Sequence, residues 1–416
     1  MRLLHIADLH IGKRVNGFNL LDDQQYILEQ ILNIAKTEDL QGVLLAGDIY
    51  DKSQPGVEAV RLLDDFLTAL LDVVPDVFMI SGNHDSPERL EFGSRLLKSK
   101  GLHIAGAYHG HIDCVTLEDA FGLMHVYLLP FVKPITVKAH LSEMIETCED
   151  GVRAALSRIS VNRKDRNLLL AHQFVTANGQ MPNRSDSEMI SVGGLDNVDI
   201  SVFNDFDYVA LGHIHGPQRI GRDTARYGGS PLKYSFSEAR HKKSAVLLDW
   251  KEKEDLDYRL IPFVPKRDTR IIRGSLEALL LAGKTAIYEP AVNFDEKDNS
   301  AGSDDPRINP EKDDSDNCNR TGKEDYIKAI LTDKEDLFDP VGQLREVYPN
   351  LMQLEFAKNE PGTIETEGLE EREKMIKEDP FSLFSHFYQM QNDEEMNDAQ
   401  KELMQNLIER AQENRI

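Results

Sequence analysis

Short clusters of aspartate, asparagine and histidine occur at five places in the sequence, each directly after an apolar run. They are Asp8-x-His10, Gly47-Asp48-x-x-Asp51, Gly82-Asn83-His84-Asp85, His172 and Gly212-His213-x-His215. Carboxylate, amide and imidazole ligands together suit Mn²⁺, Fe or Zn²⁺ better than Ca²⁺. So many groups exceed what one ion needs, whereas two ions that share a bridging carboxylate would use them all. Such metal pairs perform in-line displacement at phosphorus.

The apolar runs before these clusters are predicted to be β-strands of an α/β fold. Three strands come first, at Leu3–Ala7, Gly42–Ala46 and Asp76–Ser81, and they alternate with helices at Asp23–Lys36, Val57–Leu71 and Pro87–Lys98. This order predicts parallel strands covered by helices. Because ligands bind at the carboxyl ends of such strands, we expect the clusters to meet at one sheet edge.

The same patterns continue to about residue 265. Five further strands are predicted, at Met124–Leu129, Asn167–Ala171, Tyr208–Leu211, Ala245–Trp250 and Tyr258–Phe263. One long helix is predicted at Val137–Ile159. Pro262, Pro265 and the basic pair Lys266-Arg267 then mark a domain boundary. We therefore expect a first domain at 1–265.

A smaller mixed domain is predicted at 266–358, interrupted by an acidic insert at 293–325. The insert has 11 acidic and 5 basic residues and few large apolar side chains, which is typical of disorder. A linker at 359–374 leads to a helical segment at 375–416. There Asp379-Pro380 is a helix start, and Asn397 with Gln400 fits a capping box. Two apolar stripes follow these starts: Phe381, Phe384, Phe387 and Tyr388, then Leu403, Met404, Leu407, Ile408 and Ala411.

Composition limits the class of protein. The net charge of −24 argues against a general nucleic-acid binder, because phosphate contacts need Lys and Arg. Residues 1–265 carry only −9 of this charge, so the objection is weaker for the first domain. The three cysteines form no close pair, and His5 and Asp8 interrupt the apolar N-terminal stretch, which is wrong for a signal peptide. We expect a reduced, cytoplasmic location.

Single motifs of this kind are weak evidence, since Asp-x-His and isolated histidines recur in many chains. The ordered set of five is much more specific. Two residues keep alternative interpretations. Asp85 either orients His84 or caps a loop. Asp51 is either a second catalytic group or, in the preferred interpretation, a partner of a metal-bound histidine.

The set of motifs resembles the signature of the calcineurin-like metallophosphoesterases. The flanking segments LLAGDIYDKSQP, SGNHDSPERL, LGHIHGPQ and GGSPLKYSFSE resemble the SbcD family of bacterial DNA-repair nuclease subunits. The resemblance implies an α/β/β/α sandwich, followed by a small α+β capping domain and a C-terminal helical pair. Two rivals remain: another phosphoesterase, acting on monoesters or cyclic nucleotides, and a non-catalytic scaffold on the same fold.

The resemblance also implies a role for each site residue. One metal would be held by Asp8, His10, Asp48 and His215. The other would be held by Asp48, Asn83, His172 and His213, with Asp48 bridging. His84 would be the catalytic acid. The expected cofactors are two divalent metals, with Mn²⁺ as the expected ion.

The implied activity is hydrolysis of DNA, as an exonuclease on duplex ends and an endonuclease on single-stranded or hairpin DNA. The implied partners are DNA and an SbcC-like coiled-coil ATPase, in an assembly built on a homodimer within a heterotetramer. The tail at 375–416 would dock on the ATPase. Candidate DNA contacts are Lys13, Arg14, Asn16, Lys52, Arg89 and the Gly228–Lys233 loop.

Overall fold

The computed structural model describes residues 1–141, 144–188, 196–285, 322–335 and 337–357, and ten positions of the tail: 381, 384–385, 388, 396–397, 400–401 and 403–404. The chain divides into two units, Met1–Phe356 and Ala357–Ile416. Among the described residues, no helix combines the length and the apolar character that crossing a membrane requires.

The strands and helices whose bounds the described residues define lie in the first unit. The strands are β1 (Arg2–Ile6), β2 (Arg14–Val15), β3 (Phe18–Asn19), β4 (Gly42–Ala46), β5 (Asp76–Ile80), β6 (Leu102–Ala105), β7 (Asp113–Asp119), β8 (Gly122–Leu129), β9 (Arg166–His172), β10 (Phe174–Thr176), β11 (Asn197–Asp199), β12 (Tyr208–Gly212), β13 (Gln218–Ile220), β14 (Arg222–Tyr227), β15 (Ser244–Trp250), β16 (Leu256–Pro262), β17 (Thr269–Gly274), β18 (Tyr326–Leu331) and β19 (Leu351–Phe356). The helices are α1 (Leu21–Thr37), α2 (Val57–Leu71), α3 (Pro87–Leu90), α4 (Ser94–Leu97), α5 (Pro134–Lys138), α6 (Cys148–Leu156), α7 (Leu276–Thr285) and α8 (Pro340–Arg345).

Two six-stranded sheets form the body of the unit. The first has the order β16-β15-β1-β4-β5-β6, and the second has the order β13-β14-β12-β9-β8-β7. In the first sheet β1, β4, β5 and β6 run parallel, which confirms the predicted parallel arrangement. In the second sheet β8, β9, β12 and β14 are also parallel, with antiparallel strands at both edges.

The two sheets pack face to face. Alternate side chains of their central strands point to opposite faces, so one set lies between the sheets. In β1, Leu4 and Ile6 belong to a core that the first sheet forms with α1 and α2. Leu3 points the other way, into a core that contains Leu168 and Tyr208 of the second sheet. Helices α5 and α6 cover the outer face of the second sheet. The predicted α/β/β/α sandwich is therefore confirmed.

Two of the predicted helices are shorter than the sequence pattern indicates. The predicted helix at Val137–Ile159 is wrong: α5 and α6 are separate, and α6 begins at its own capping box. The Thr147 side chain accepts from the Asp150 N–H, and the Asp150 carboxylate accepts from the Thr147 N–H. The helix predicted at Pro87–Lys98 is split into α3 and α4 because Gly93 has a φ of +79°, which a helix interior does not allow.

A third, parallel sheet follows the sandwich, with the order β17-β18-β19. Helices α7 and α8 pack on it around a separate apolar core. Of the predicted insert, residues 293–321 lie outside the described residues. Its last four residues are folded, since Asp325 is buried, accepts from the Asp268 N–H and pairs with Arg270 at 2.7 Å. Residues 322–325 therefore belong to the folded domain.

We expect that replacing residues 293–321 with a short Gly/Ser linker leaves the fold unchanged. The insert's composition offers no core, and shortening a surface loop changes its closure entropy little. The thermal midpoint of the variant should match that of the parent chain. A large fall in that midpoint would show that these residues pack on the domain. The replacement stops before residue 322 because Asp325 is part of the fold.

The described tail positions agree with one prediction in detail. The Asn397 N–H donates to Gln400 Oε1 at 2.9 Å, and the Gln400 N–H donates to Asn397 Oδ1 at 3.0 Å. The predicted capping box is therefore confirmed. Gln400 also donates from Nε2 to the Tyr388 hydroxyl at 2.9 Å. Phe387, Leu407 and the linker at 359–374 lie outside the described residues.

Candidate metal centre

All eight predicted site residues meet where strands of both sheets end. The first sheet supplies five residues, which follow β1, β4 and β5: Asp8, His10, Asp48, Asn83 and His84. The second sheet supplies three, at the ends of β9 and β12: His172, His213 and His215. The expected single sheet edge is wrong, because the strands that carry these residues belong to two packed sheets.

Four of these residues have a left-handed backbone. Their φ angles are +53° at Asp8, +45° at His10, +49° at Asp48 and +97° at His213. Such angles are uncommon for residues with a Cβ and cost roughly 1–3 kcal/mol each in sparsely populated regions. The surrounding strands impose these turns, which aim the side chains at a common point.

Gly82 lets the turn after β5 approach the turn after β4. A Cβ at this position would lie only 2.1 Å from Oδ1 of Asp48 and 2.3 Å from its backbone nitrogen. A side chain is therefore excluded there. The close approach also brings the backbone N–H of His84 to Oδ1 of Asp48, at 2.9 Å.

Asp8, His10 and His215 form one candidate metal position. All three are buried, and one ligand atom from each lies within 4.8 Å of the others. The Nε2 atoms of His10 and His215 are 3.1 Å apart. Two ring nitrogens at this distance need a proton or a cation between their lone pairs.

Asn83, His172 and His213 form a second candidate position. Oδ1 of Asn83 lies 3.0 Å from Nε2 of His172 and 2.8 Å from Nδ1 of His213. The other ring nitrogen of His172 donates to the Ala46 carbonyl at 2.8 Å. That bond fixes the ring and leaves the Nε2 lone pair for a ligand, the arrangement found in metal-binding histidines.

Asp48 lies between the two positions. Its Oδ2 is 3.6 Å from Nε2 of His10, on one side, and 3.5 Å from Nε2 of His172, on the other. The carboxylate is buried. A carboxylate that bridges two metals must lie beside ligands of both metal positions. Asp48 has this location.

Burial and charge shift the pKa values of these groups strongly. Burial raises the pKa of Asp8 to about 7, although His172 and His215 oppose this rise. Burial also acts to raise the pKa of Asp48, but the imidazoles of His172 and His10 hold it well below its usual range. For His172, burial lowers the pKa, and the Asp48 carboxylate more than offsets this and raises it to about 9.

This donor set fits divalent cations. Among the described residues, no Lys or Arg lies within ion-pair distance of Asp8 or Asp48, and both contact histidines. A proton on His172 therefore balances part of the buried negative charge. Bound cations would supply the balancing charge instead and displace such protons.

His84 lies beside both positions and is only half-buried. Its Nδ1 donates to the Asp51 carbonyl at 3.0 Å, and its ring meets that of His10 edge-on, with centroids 4.8 Å apart. His84 is also close enough to His10 and Asp48 to complete a group of potential ligands. Because Nδ1 is bonded, Nε2 is the atom that can meet a substrate or a metal.

The two aspartates with open interpretations differ in their contacts. Asp85 accepts hydrogen bonds from the backbone N–H groups of Ile49, Tyr50 and Gly82, at 2.9–3.0 Å. It therefore acts as a loop cap. Asp51 Oδ1 lies 3.8 Å from Nδ1 of His10 but only 2.8 Å from Nζ of Lys13, so its direct partner is the lysine.

The sequence analysis missed a buried polar network behind His215. Nδ1 of His215 and Oγ of Ser187 are 2.7 Å apart, and Ser187 donates to Oε1 of Glu238 at 2.5 Å. Oε2 of Glu238 pairs with Nζ of Lys243 at 2.5 Å, and Lys243 also donates to the His215 carbonyl at 2.8 Å. Burial lowers the pKa of His215, but Glu238 and Asp8 more than offset this and raise it. The motif GGSPLKYSFSE contains Glu238, yet nothing in its spacing points to His215.

We expect Glu238→Gln to lower both stability and metal affinity. The substitution leaves the Lys243 charge buried without a counter-charge, which costs about 3 kcal/mol. It also removes the group that orients His215, and such losses weaken metal binding by about 10–100-fold. Thermal unfolding and Mn²⁺ titration measure the two effects, with the exposed Glu118→Gln as the control. An unchanged thermal midpoint would contradict the importance of this ion pair.

The predicted DNA contacts divide by exposure. Arg14, Asn16, Lys52 and Arg89 are exposed. Most of the predicted Gly228–Lys233 loop is buried, and Lys233 pairs with Asp268. This burial argues against the loop as a DNA contact, which stays a prediction.

Comparison with known proteins agrees with this geometry. The chain belongs to the calcineurin-like phosphoesterase family, whose model matches residues 1–217. A second model, described as a type 5 capsule protein repressor C-terminal domain, matches residues 265–392. The chain is similar to the SbcD component of the SbcCD nuclease from Staphylococcus epidermidis, with 28% identity over 413 residues and 98% of both chains covered.

Among solved structures, the chain is similar to a dimetal phosphatase from Danio rerio, with 15% identity and a TM-score of 0.37. That match covers 64% of this chain and 96% of the phosphatase. The phosphoesterase family and the clustered ligand groups together indicate a site for divalent metals.

Proposed function

We propose that this protein is a metal-dependent DNA nuclease that hydrolyses phosphodiesters with two bound cations, as an exonuclease on duplex ends and an endonuclease on single-stranded or hairpin DNA. The observation that carries the proposal is the position of Asp48 Oδ2 between His10 and His172, 3.6 Å and 3.5 Å away. The similarity to a nuclease component over 98% of both chains supports DNA as the substrate.

In this proposal the ligands divide as the resemblance to the metallophosphoesterases implies. Asp8, His10 and His215 hold one cation, Asn83, His172 and His213 hold the other, and Asp48 is shared. When bound, such a pair lowers the pKa of water and neutralises charge on the phosphate oxygens, and Mn²⁺ is the ion that we propose. The Ala46 carbonyl, Glu238 and Ser187 keep the histidine rings in place.

His84 has a separate role in this proposal. The Asp51 carbonyl holds its Nδ1, so that Nε2 faces the reacting phosphate and donates a proton to the leaving oxygen. An imidazole can hold and release a proton near neutral pH, which suits this role.

Incubation of the purified full-length chain with end-labelled DNA tests the proposal. We expect cleavage with Mn²⁺, none with EDTA, and little hydrolysis of a phosphomonoester or a cyclic nucleotide. The Asp64→Ala variant, changed on the exposed face of α2, is the control and should cleave normally. Efficient hydrolysis of a monoester without cleavage of DNA would favour the alternative of a different phosphoesterase. No hydrolysis of any of these substrates would favour a non-catalytic scaffold.

We also propose that the chain works in DNA repair and recombination, in the cytoplasm, as a homodimer within a heterotetramer with an SbcC-like ATPase. The match of a second family model to residues 265–392 and the aromatic stripe beginning at Phe381 support a partner-binding tail. Phe381, Phe384 and Tyr388 are helical positions, spaced as anchors for a groove on another protein.

Truncation after Glu365 should abolish co-purification with the ATPase and ATP-dependent cleavage of duplex DNA. The metal site lies entirely in the first unit, so Mn²⁺-dependent cleavage of single-stranded DNA should remain. A full-length variant with Phe381→Ala and Phe384→Ala should show the same loss, with Ser385→Ala as its control. Normal complex formation by the truncated chain would contradict the docking role of the tail.

A further inference from the structure

Gln24 is a buried polar residue outside the proposed ligand set. It lies in the first turn of α1 and is 3% exposed, on the face of the helix that also carries Ile27 and Ile31. The next residue, Gln25, is exposed. Because a buried side-chain amide requires hydrogen-bond partners, the partners of Gln24 indicate what it does.

The amide of Gln24 bonds the backbone of the loop that carries His10. Its Oε1 accepts from the Gly12 N–H at 2.9 Å. Its Nε2 donates to the His10 carbonyl at 2.7 Å and to the Leu9 carbonyl at 3.2 Å. The N–H requires an acceptor and the carbonyls require a donor, so the amide fits this loop in one orientation. One side chain thus holds three residues of the loop.

The backbone of His10 needs such support. Its φ of +45° is left-handed, and a conformation of this kind persists in a residue with a Cβ only where the surroundings impose it. The His10 N–H donates to the Asp48 carbonyl at 2.9 Å. The His10 carbonyl accepts from the Lys13 N–H at 3.0 Å, within the same turn, and from Gln24. Gln24 is therefore the contact that ties this carbonyl to a helix.

Tyr234 packs beside the same amide. Its hydroxyl accepts from Nε2 of Gln24 at 3.3 Å and donates to the Leu9 carbonyl at 2.5 Å. Its ring meets the ring of His10 edge-on, with centroids 5.4 Å apart. The backbone of His10 is thus held by Gln24, and its imidazole is packed against Tyr234.

We propose that Gln24 is a positioning residue for the first metal position. It acts through the backbone of His10 and aligns Nε2 of that ring, which lies 3.1 Å from Nε2 of His215. The inference rests on the proposed role of His10 as a metal ligand. The side-chain bonds of Gln24 go to the His10 loop and to Tyr234, so the second metal position should not depend on it.

Isothermal titration of full-length Gln24→Met with Mn²⁺ tests the inference. Methionine has nearly the length of glutamine but no amide, so the loop loses its bonds while the volume is kept. We expect one of the two Mn²⁺ binding events to weaken by about 10–100-fold and the other to keep its parental affinity. Gln25→Met makes the same change on the exposed face of α1 and should bind both ions as the parent does.

Parental binding of both ions by Gln24→Met would overturn the inference. Equal weakening of both events, together with a lower thermal midpoint in EDTA, would also overturn it, because Gln24 would then support the fold in general. A parent chain that fails to bind two Mn²⁺ ions would refute the two-metal proposal itself, and this inference with it.

A double variant shows whether Gln24 acts through His10. His10→Ala removes the ligand, so adding Gln24→Met to it should weaken Mn²⁺ binding no further. An additional loss in the double variant would overturn the inference, since Gln24 would then act on another ligand. If Gln24→Met does not fold, Gln24→Asn decides alone. It keeps a polar amide but withdraws it from the loop by one methylene group, and it should weaken the same single binding event.

Discussion

The Asp48→Ala variant should have no detectable nuclease activity, and added Mn²⁺ should not restore it. Asp48 is the carboxylate that lies beside a ligand group of each metal position. Its removal leaves His10 and His172 without the charge that they share. We therefore expect the variant to lose high-affinity binding of two Mn²⁺ ions, because two cations close together repel each other unless an anion lies between them.

Isothermal titration with Mn²⁺ and cleavage of labelled DNA measure these two losses. The matched control is Asp64→Ala, which removes an exposed carboxylate from α2 and should bind two ions and cleave DNA normally. A thermal midpoint close to that of the parent would show that the fold is retained. Binding of two ions with parental affinity by Asp48→Ala would contradict the bridging role and the two-metal proposal together.

The sequence predicts the local elements of the first domain well because each carries its own pattern. The strand at Gly42–Ala46 and the helix at Val57–Leu71 are found at the predicted residues. Both have regular apolar spacing and clear ends. The helix predicted at Val137–Ile159 failed because apolar periodicity continues across the capping box at Thr147, where the chain in fact begins a new helix.

The candidate site was predicted residue by residue because each cluster directly follows a strand. All eight predicted residues lie together in the structure. What the sequence did not reveal is that strands of two different sheets carry them. β1 pairs with β4, and β9 pairs with β12. These pairings join residues that are far apart in the sequence, and the apolar periodicity of a strand does not indicate which strand it pairs with.

The supporting groups were harder to predict for a similar reason. Glu238 and Lys243 are charged residues in a polar segment, and on sequence alone a solvent-exposed location is the natural expectation. In the structure both are buried and bonded around His215, which is more than 20 residues earlier in the chain. The sequence around Glu238 and Lys243 therefore does not indicate that this ion pair lies beside His215.

The His84→Ala variant should bind Mn²⁺ normally and yet cleave DNA at least about 10²-fold more slowly. The contact of His84 with Asp48 is made by the backbone N–H, which alanine retains. Removal of the imidazole therefore leaves the bridging carboxylate in place and takes away only the proposed proton donor. The same ring is close enough to His10 and Asp48 to be a ligand instead, so metal binding is the decisive measurement.

Substrates with different leaving groups show whether His84 donates a proton or only positions the DNA. A diester with a nitrophenolate leaving group needs no proton, so we expect His84→Ala to hydrolyse bis(p-nitrophenyl) phosphate at a rate near that of the parent. His84→Gln, which can still donate a hydrogen bond but cannot transfer a proton, should behave like His84→Ala on DNA. Equal losses on DNA and on the nitrophenyl ester would argue against proton donation. Loss of one Mn²⁺ ion in His84→Ala would contradict the separate role of His84 and favour it as a metal ligand.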